Sequence, residues 1–237
     1  MRTEHERSAL SPRRTPPSRI HIVGGPGTGK TTLAQAIAAH LCVPIFSLDL
    51  IAFEGEEFRL RPLEARLADI HDIATAPGWV TEGMWLGWTE ELFQQADIIV
   101  WLDHVPSHVA GWRMLTRFVR GGLQEAGRQP WSRKFTRIQD FSRNIRLFAC
   151  AFQSGMRFYR GTSPMATAAE APGAVTRTET ARDLWAYGAR VVHCRREQDV
   201  SALLNRIRTE WGQHVEAERH MPSPMSRPNP GNGPVSR

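Results

Sequence analysis

The chain has 237 residues, 41% of them hydrophobic, and a net charge of +6 that is unevenly spread. That apolar share is enough for a real core, but no apolar run reaches the ~18 residues of a membrane span. Residues 1–19 carry five Arg without the apolar stretch of a secretory signal. Cys42, Cys150 and Cys194 are scattered, odd in number and without a CxxC pair. They speak against a disulfide framework and a zinc site, and read as core filler in a protein of the reducing cytoplasm.

Residues 1–19 read as a disordered basic tail. Ile20-His21-Ile22-Val23 then reads as a short, buried parallel strand. Directly after it comes Gly24-Gly25-Pro26-Gly27-Thr28-Gly29-Lys30-Thr31, which fits G-x-x-x-x-G-K-[ST]. Thr32 to Leu41 follows as an Ala-rich helical segment. Strand, glycine loop and helix are the setting in which this motif cradles phosphate. Glycines let the backbone curl so that successive N–H groups point at an anion, and the helix N-terminus adds partial positive charge. Gly24, Gly25, Pro26, Gly27, Thr28 and Gly29 would form the cradle for ATP. Lys30 would reach the β- and γ-phosphates, the Thr31 hydroxyl would coordinate Mg²⁺, and Thr32 would support an α-phosphate. The chain has only two Lys, Lys30 and Lys134, and one stands where the motif requires it.

Val43 to Leu48 reads as a second strand ending at Asp49. Leu63 to Ala74 has a helical apolar period. Gly78 to Gly83 reads as a third strand, Glu90 to Gln95 as a short helix, and Ala96 to Asp103 as a strand buried on both faces. Pro106 to Val119 reads as a helix with Pro in its first turn. Gly121 to Arg133 reads as a polar Gly/Pro loop, and Phe135 to Phe158 as a long helix. Residues 161–176 read as a small polar insertion, Thr178 to Tyr187 as a helix, Arg190 to Cys194 as a fifth strand and Glu197 to Trp211 as a closing helix. The stretch 216–237 is rich in Pro and Gly and reads as a second disordered tail.

Five strands alternating with helices predict an α/β fold, a three-layer doubly wound parallel sheet. One P-loop domain is expected over 20–215, with a mobile lid at about 120–134. Ligands of such sheets sit at the carboxyl ends of the strands. That rim gathers the P-loop, Asp49, Glu82-Gly83 and Asp103. Asp49 could orient an acceptor, take its proton or bind Mg²⁺ through water. Glu82 and Gly83 read as substrate-binding. Asp103 ends its strand in Walker-B fashion and is the expected support for Mg²⁺ or Thr31.

Between His104 and Arg160 there are eleven Arg or Lys and two acids, Glu125 and Asp140. A region so basic suits phosphates of a nucleotide and a substrate, or of a nucleic acid. Arg113, Arg117 and Arg120 share one helix face at spacings of four and three. Arg113 and Arg117 are the expected catalytic arginines, closing with Arg128 and Arg133 over the transferred phosphoryl group. Trp79, Trp85, Trp88 and Trp101 read as core or acceptor-pocket walls, and Trp112 and Trp131 as packing residues.

Taken together, these motifs resemble the small P-loop kinases of the adenylate-kinase-like group, above all the FlaR-related (DNA topology modulation) subgroup. The resemblance is carried by Gly24 to Thr32, by Leu48-Asp49 with Phe53, by Trp79-Val80-Thr81-Glu82-Gly83, by Ala96 to Asp103, and by Arg113 and Arg117 ahead of an Arg-bearing lid. It implies a nucleoside-monophosphate-kinase fold and ATP-dependent phosphoryl transfer to a small acceptor. It also implies that Arg195 lies in the adenine-side loop and that Arg59, Arg61 and Arg66 are candidates for an acceptor-phosphate pocket. Where the family has Asp-Gly-Asn-Tyr, this chain has Glu82-Gly83-Met84-Trp85, which keeps the charge and replaces a polar acceptor contact with a thioether.

The expected activity is that of a cytoplasmic ATP–Mg²⁺ kinase acting on a nucleotide or another small acceptor. Two other readings stand beside it: an NTP-dependent protein associated with nucleic acid through its basic region, and a nucleotide-binding regulator without catalysis.

Overall fold

Nearly continuous burial along the central strands builds the molecule from its centre outward. The computed structural model describes residues 17–55, 59–128, 145, 148–149, 152–153, 155–160 and 175–211, without the side chains of 121–128, 210 and 211. Its five-stranded sheet is parallel throughout, in the order β2-β5-β1-β6-β7. β1 (Arg19–Gly24) is central, between β5 (Trp79–Glu82) and β6 (Ile98–Leu102). β2 (Ile45–Ser47) and β7 (Val191–Cys194) form the edges. β1 starts at Arg19, where Asp97 accepts hydrogen bonds from the backbone N–H groups of Ser18 and Arg19, both at 3.0 Å.

Side chains of a strand point alternately to its two faces. On one face Ile20, Ile22, Val100 and Leu102 meet Leu33 and Ile37 of α1 (Lys30–Leu41) and Leu203 of α7 (Glu197–Arg206). On the other, Val23, Ile99 and Trp101 pack with Ile70 of α3 (Leu63–Thr75), Leu92 and Phe93 of α4 (Glu90–Gln95), Trp79 and Trp88. Covering both faces is what makes the central strands nearly continuous apolar runs. Each fully buried side chain of this size contributes about 1.5–3 kcal/mol.

Three expectations change. The chain after β2 is not extended to Asp49: Leu48–Ala52 forms a short helix, α2, because Leu48, Ile51 and Ala52 bury themselves on one helical face. A two-stranded hairpin follows, β3 (Phe53–Glu54) against β4 (Arg59–Leu60). Residues 121–128 are not a loop, since α5 runs from Ser107 to Arg128. Leu123, Gln124, Glu125 and Ala126 are good helix formers and carry the helix through Gly121 and Gly122, each of which costs about 1 kcal/mol relative to Ala. Cys42 is not core filler but exposed, at a left-handed helix C-cap with φ 55°. Cys194 is buried, and Cys150 lies outside the described residues.

The expected helix Phe135 to Phe158 is helical at every described position, and α6 (Arg177–Trp185) replaces the expected Thr178 to Tyr187. Residues 129–134 of the expected lid, with Arg133, and the 161–174 part of the insertion lie outside the described residues, as do 1–16 and 212–237. Among the described residues, no helix is long and apolar enough to cross a membrane.

Candidate active site

The P-loop leaves β1 at Gly24 and enters α1 at Lys30, with Gly29 as a left-handed N-cap. Gly27 has φ +74°, and a Cβ there would meet the Ala110 carbonyl oxygen at 2.8 Å, so neither backbone nor space admits a side chain. The loop is tied by its carbonyls. The Gly25 carbonyl accepts from Thr28 Oγ1 at 2.7 Å and from Lys30 Nζ at 3.0 Å. Pro26 accepts from the Tyr159 hydroxyl at 2.8 Å, and Gly27 from Arg113 Nη1 at 3.2 Å.

Glu82 ends β5 beside this loop, in register with Ile22 of β1. It is buried, and its Oε1 accepts a hydrogen bond from Thr31 Oγ1 at 3.2 Å. Lys30 feels both Glu82 and Asp49. Burial is the largest influence and pushes its ammonium pKa below the ordinary value; Glu82 and then Asp49 oppose the shift, and Arg117 adds to it. Lys30, Asp49, Glu82 and Arg117 are therefore electrostatically coupled, and Thr31 joins them through its hydrogen bond to Glu82.

Asp49 stands in the first turn of α2 and is exposed. Its Oδ1 accepts from Trp85 Nε1 at 2.9 Å. Trp85 is buried and fixed edge-on against Phe53 and Trp88. Gly83 has φ +148°, and a Cβ there would sit 2.7 Å from Leu48 Cβ. The glycine thus lets the chain after Glu82 pass under α2, which is a spacing role.

Asp103 does not meet Thr31. Its Oδ1 lies 2.7 Å from Arg177 Nε, and its Oδ2 accepts from Arg177 Nη2 at 2.8 Å and lies 3.0 Å from His193 Nε2. Burial alone would raise its pKa, but the His193 and Arg177 hydrogen bonds outweigh burial and hold the carboxyl below its usual range. Arg195 Nε bonds His193 Nδ1 at 3.1 Å. A guanidinium only donates, so Nδ1 accepts, and Nε2 carries the proton that is donated to Asp103. His193 also stacks on Trp101 at 3.8 Å. Arg195 accordingly closes a chain Arg177–Asp103–His193–Arg195, and its backbone N–H donates to Asp199 in the first turn of α7.

Thr32 and Arg117 are exposed, Arg113 is bound to the loop backbone, and Trp112 is exposed rather than packed. Of the acceptor-phosphate candidates, Arg66 is buried with its guanidinium 5.0 Å from the Trp88 ring, while Arg61 bonds Asp69 and the Ile51 carbonyl. Arg66 and Arg61 thus brace the hairpin, and Arg59 lies exposed on β4. Tyr159, Arg177 and His193 carried no local sequence signal. The one available hint was that His193 stands beside Trp101 once β7 is placed next to β6.

The donor set fits a hard cation. Mg²⁺ in phosphate sites takes one or two protein oxygens and completes its shell with phosphate and water. Thr31 and Glu82 offer such oxygens side by side. Among the described residues, there is no group of three or more His, Cys, Asp and Glu that could hold a metal by itself.

No curated protein matches the chain in sequence. The family model described as "ATPase family associated with various cellular activities (AAA)" matches residues 20–112, less than half of the chain. A gluconokinase from Sinorhizobium meliloti 1021 is similar in structure at 15% identity, covering 87% of this chain and 98% of its own, with a TM-score of 0.42. A shikimate kinase from Bacteroides thetaiotaomicron is similar at 18% identity, covering 72% and 98%, with a TM-score of 0.34. At such scores these likenesses say nothing of substrate. Motif, strand–loop–helix geometry and family match together mark residues 20–112 as a P-loop nucleotide-binding core.

Proposed function

We propose that the chain is an ATP-dependent kinase of the adenylate-kinase-like type, transferring the γ-phosphoryl group to a nucleotide or another small acceptor. The order of its motifs is what favours the FlaR-related subgroup. The observation that carries the reading is the convergence of Lys30, Thr31, Glu82 and Asp49 at the carboxyl ends of three strands, β1, β5 and β2. Gly24 to Thr32 would bind the phosphates. Thr31 and Glu82 would hold Mg²⁺, which neutralises charge on the phosphate oxygens. Asp103 is engaged elsewhere and takes no part in that reading.

Phosphoryl transfer needs positioning and charge stabilisation more than covalent chemistry. Lys30 would follow the migrating group. Arg117, exposed and close enough to depress the Lys30 pKa, would add positive charge from α5. Asp49 has Oδ1 held by Trp85, and among the described residues Oδ2 has no hydrogen-bond partner. Oδ2 would orient the acceptor hydroxyl and receive its proton.

A second reading has one observation in its favour. The matched family model is described as a family of ATPases, which fits hydrolysis without an acceptor. ADP production with Mg²⁺ by the full chain and by Lys30→Ala, screened over nucleoside monophosphates, nucleosides and small metabolites, separates the two. Lys30-dependent turnover that requires one acceptor supports the kinase. Turnover independent of any acceptor, or stimulated only by DNA or RNA, overturns it.

A further inference from the structure

We propose that Tyr159 is a positioning residue of the phosphate cradle, holding the P-loop in its binding shape from a helix more than a hundred residues away. The inference rests on the reading of this loop as a nucleotide site. Helical residues 155–160 press directly on the loop: a Cβ on Gly155 would sit 2.8 Å from Pro26 Cγ, and one on Gly25 would sit 2.6 Å from the Phe158 ring. Within that contact the Tyr159 hydroxyl donates to the Pro26 carbonyl at 2.8 Å. Arg113 takes the next carbonyl, that of Gly27, at 3.2 Å.

Those two bonds decide where the amides point. A trans peptide is planar, with its C=O and the following N–H on opposite sides. Turning the Pro26 carbonyl to Tyr159 puts the Gly27 N–H on the far side, and turning the Gly27 carbonyl to Arg113 does the same for the Thr28 N–H. Successive N–H groups aimed away from their carbonyl anchors are what an anion cradle consists of. A loop with Gly24, Gly25, Gly27 and Gly29 has more backbone freedom to lose on binding than any other composition. Anchoring it beforehand removes that cost from the binding step. Burial, together with the nearby Asp103 charge, pushes the Tyr159 hydroxyl up to about 12, so it remains a protonated donor at every ordinary pH.

The test uses the full chain, with calorimetric affinities for Mg–ADP and for adenosine in the unaltered protein, Tyr159→Phe and Lys30→Ala. The Phe ring keeps the packing and removes only the donor. Tyr159→Phe is expected to bind Mg–ADP about tenfold more weakly, with adenosine affinity and melting temperature unchanged. Equal Mg–ADP affinity in Tyr159→Phe and the unaltered protein overturns the proposal while leaving the nucleotide site intact. Parallel loss of adenosine and Mg–ADP binding overturns it as well, because a general packing role would move both. Failure of the unaltered protein to bind Mg–ADP overturns this inference and the kinase reading together.

Discussion

Thr31 and Glu82, fifty-one positions apart, meet where two adjacent parallel strands end, the threonine hydroxyl donating to the buried carboxylate at 3.2 Å. The contact makes Glu82, not Asp103, the acidic partner of the P-loop. β5 lies next to β1 and delivers its last residue to the loop's side. β6 is just as close, but Asp103 beyond its end is drawn away by Arg177 and His193.

Glu82→Gln should therefore separate metal from nucleotide. The variant keeps the shape and loses the charge that a divalent cation needs. We expect Mg²⁺ to strengthen ADP binding about tenfold or more less effectively in Glu82→Gln than in the unaltered protein. Metal-free ADP binding should stay within about twofold. Asp103→Asn should leave the Mg²⁺ effect unchanged. Calorimetry with and without Mg²⁺ reads both, and the reverse pattern would return the metal role to Asp103.

Asp103 should instead matter for stability. Its pKa is depressed in the fold, so its contribution is fully present above the unfolded carboxyl value of about 3.9 and is lost as pH falls through the lower folded value. Asp103→Asn should cost about 2 kcal/mol at neutral pH, the usual worth of hydrogen bonds to a charged group. The gap between the two proteins in urea denaturation should be flat between about pH 5 and 8 and narrow below about pH 4.

His21 makes the fold acid-sensitive in the same direction, through a basic side chain. It is fully buried in β1, hydrogen-bonded through Nδ1 to Thr81 at 2.7 Å and edge-on to Phe93, and burial pushes its pKa down to about 3. The folded state keeps it neutral while the unfolded chain takes up a proton below about pH 6.5. Stability should fall by about 1.4 kcal/mol per pH unit from there down to the folded value. His21→Gln removes the titration. Between pH 7 and 5 the unaltered protein should lose about 2 kcal/mol more than the variant, and equal losses would show that His21 titrates alike in the folded and unfolded states.

How far the residues foretold this arrangement differs along the chain. The central strands were legible because burial on both faces leaves a near-continuous apolar run, as in Ile98 to Leu102. The P-loop was legible because Gly, Lys and Thr must stand at fixed spacings for backbone and charge to surround a phosphate. Glu82 and Asp103 could not be told apart, since both end strands on the same rim. Their difference is made by Arg177 and His193, which are remote in sequence. The helical continuation through Gly121-Gly122 is hidden locally by the cost of two adjacent glycines, which the four helix formers that follow offset. Trp112, exposed on α5, shows that an aromatic side chain in a basic helix does not by itself report a core.

The bond from Trp85 Nε1 to Asp49 Oδ1 leads to a prediction on the acceptor side alone. Trp85 is held by Phe53 and Trp88, so its N–H is a fixed point against which the exposed aspartate is oriented. Trp85→Phe keeps an aromatic ring in the same packing and deletes that donor. Asp49 would then keep its charge and lose its single orientation, so the acceptor would meet a carboxylate spread over several rotamers. We expect the acceptor KM to rise about fivefold, the net worth of one hydrogen bond, with the KM for ATP within about twofold. Asp49→Asn would remove the proposed proton acceptor and should lower kcat about 100-fold or more. Steady-state kinetics with the acceptor found in the screen gives both numbers. A Trp85→Phe variant whose ATP and acceptor constants move together would place this tryptophan in the general packing of the sheet rather than in the acceptor site.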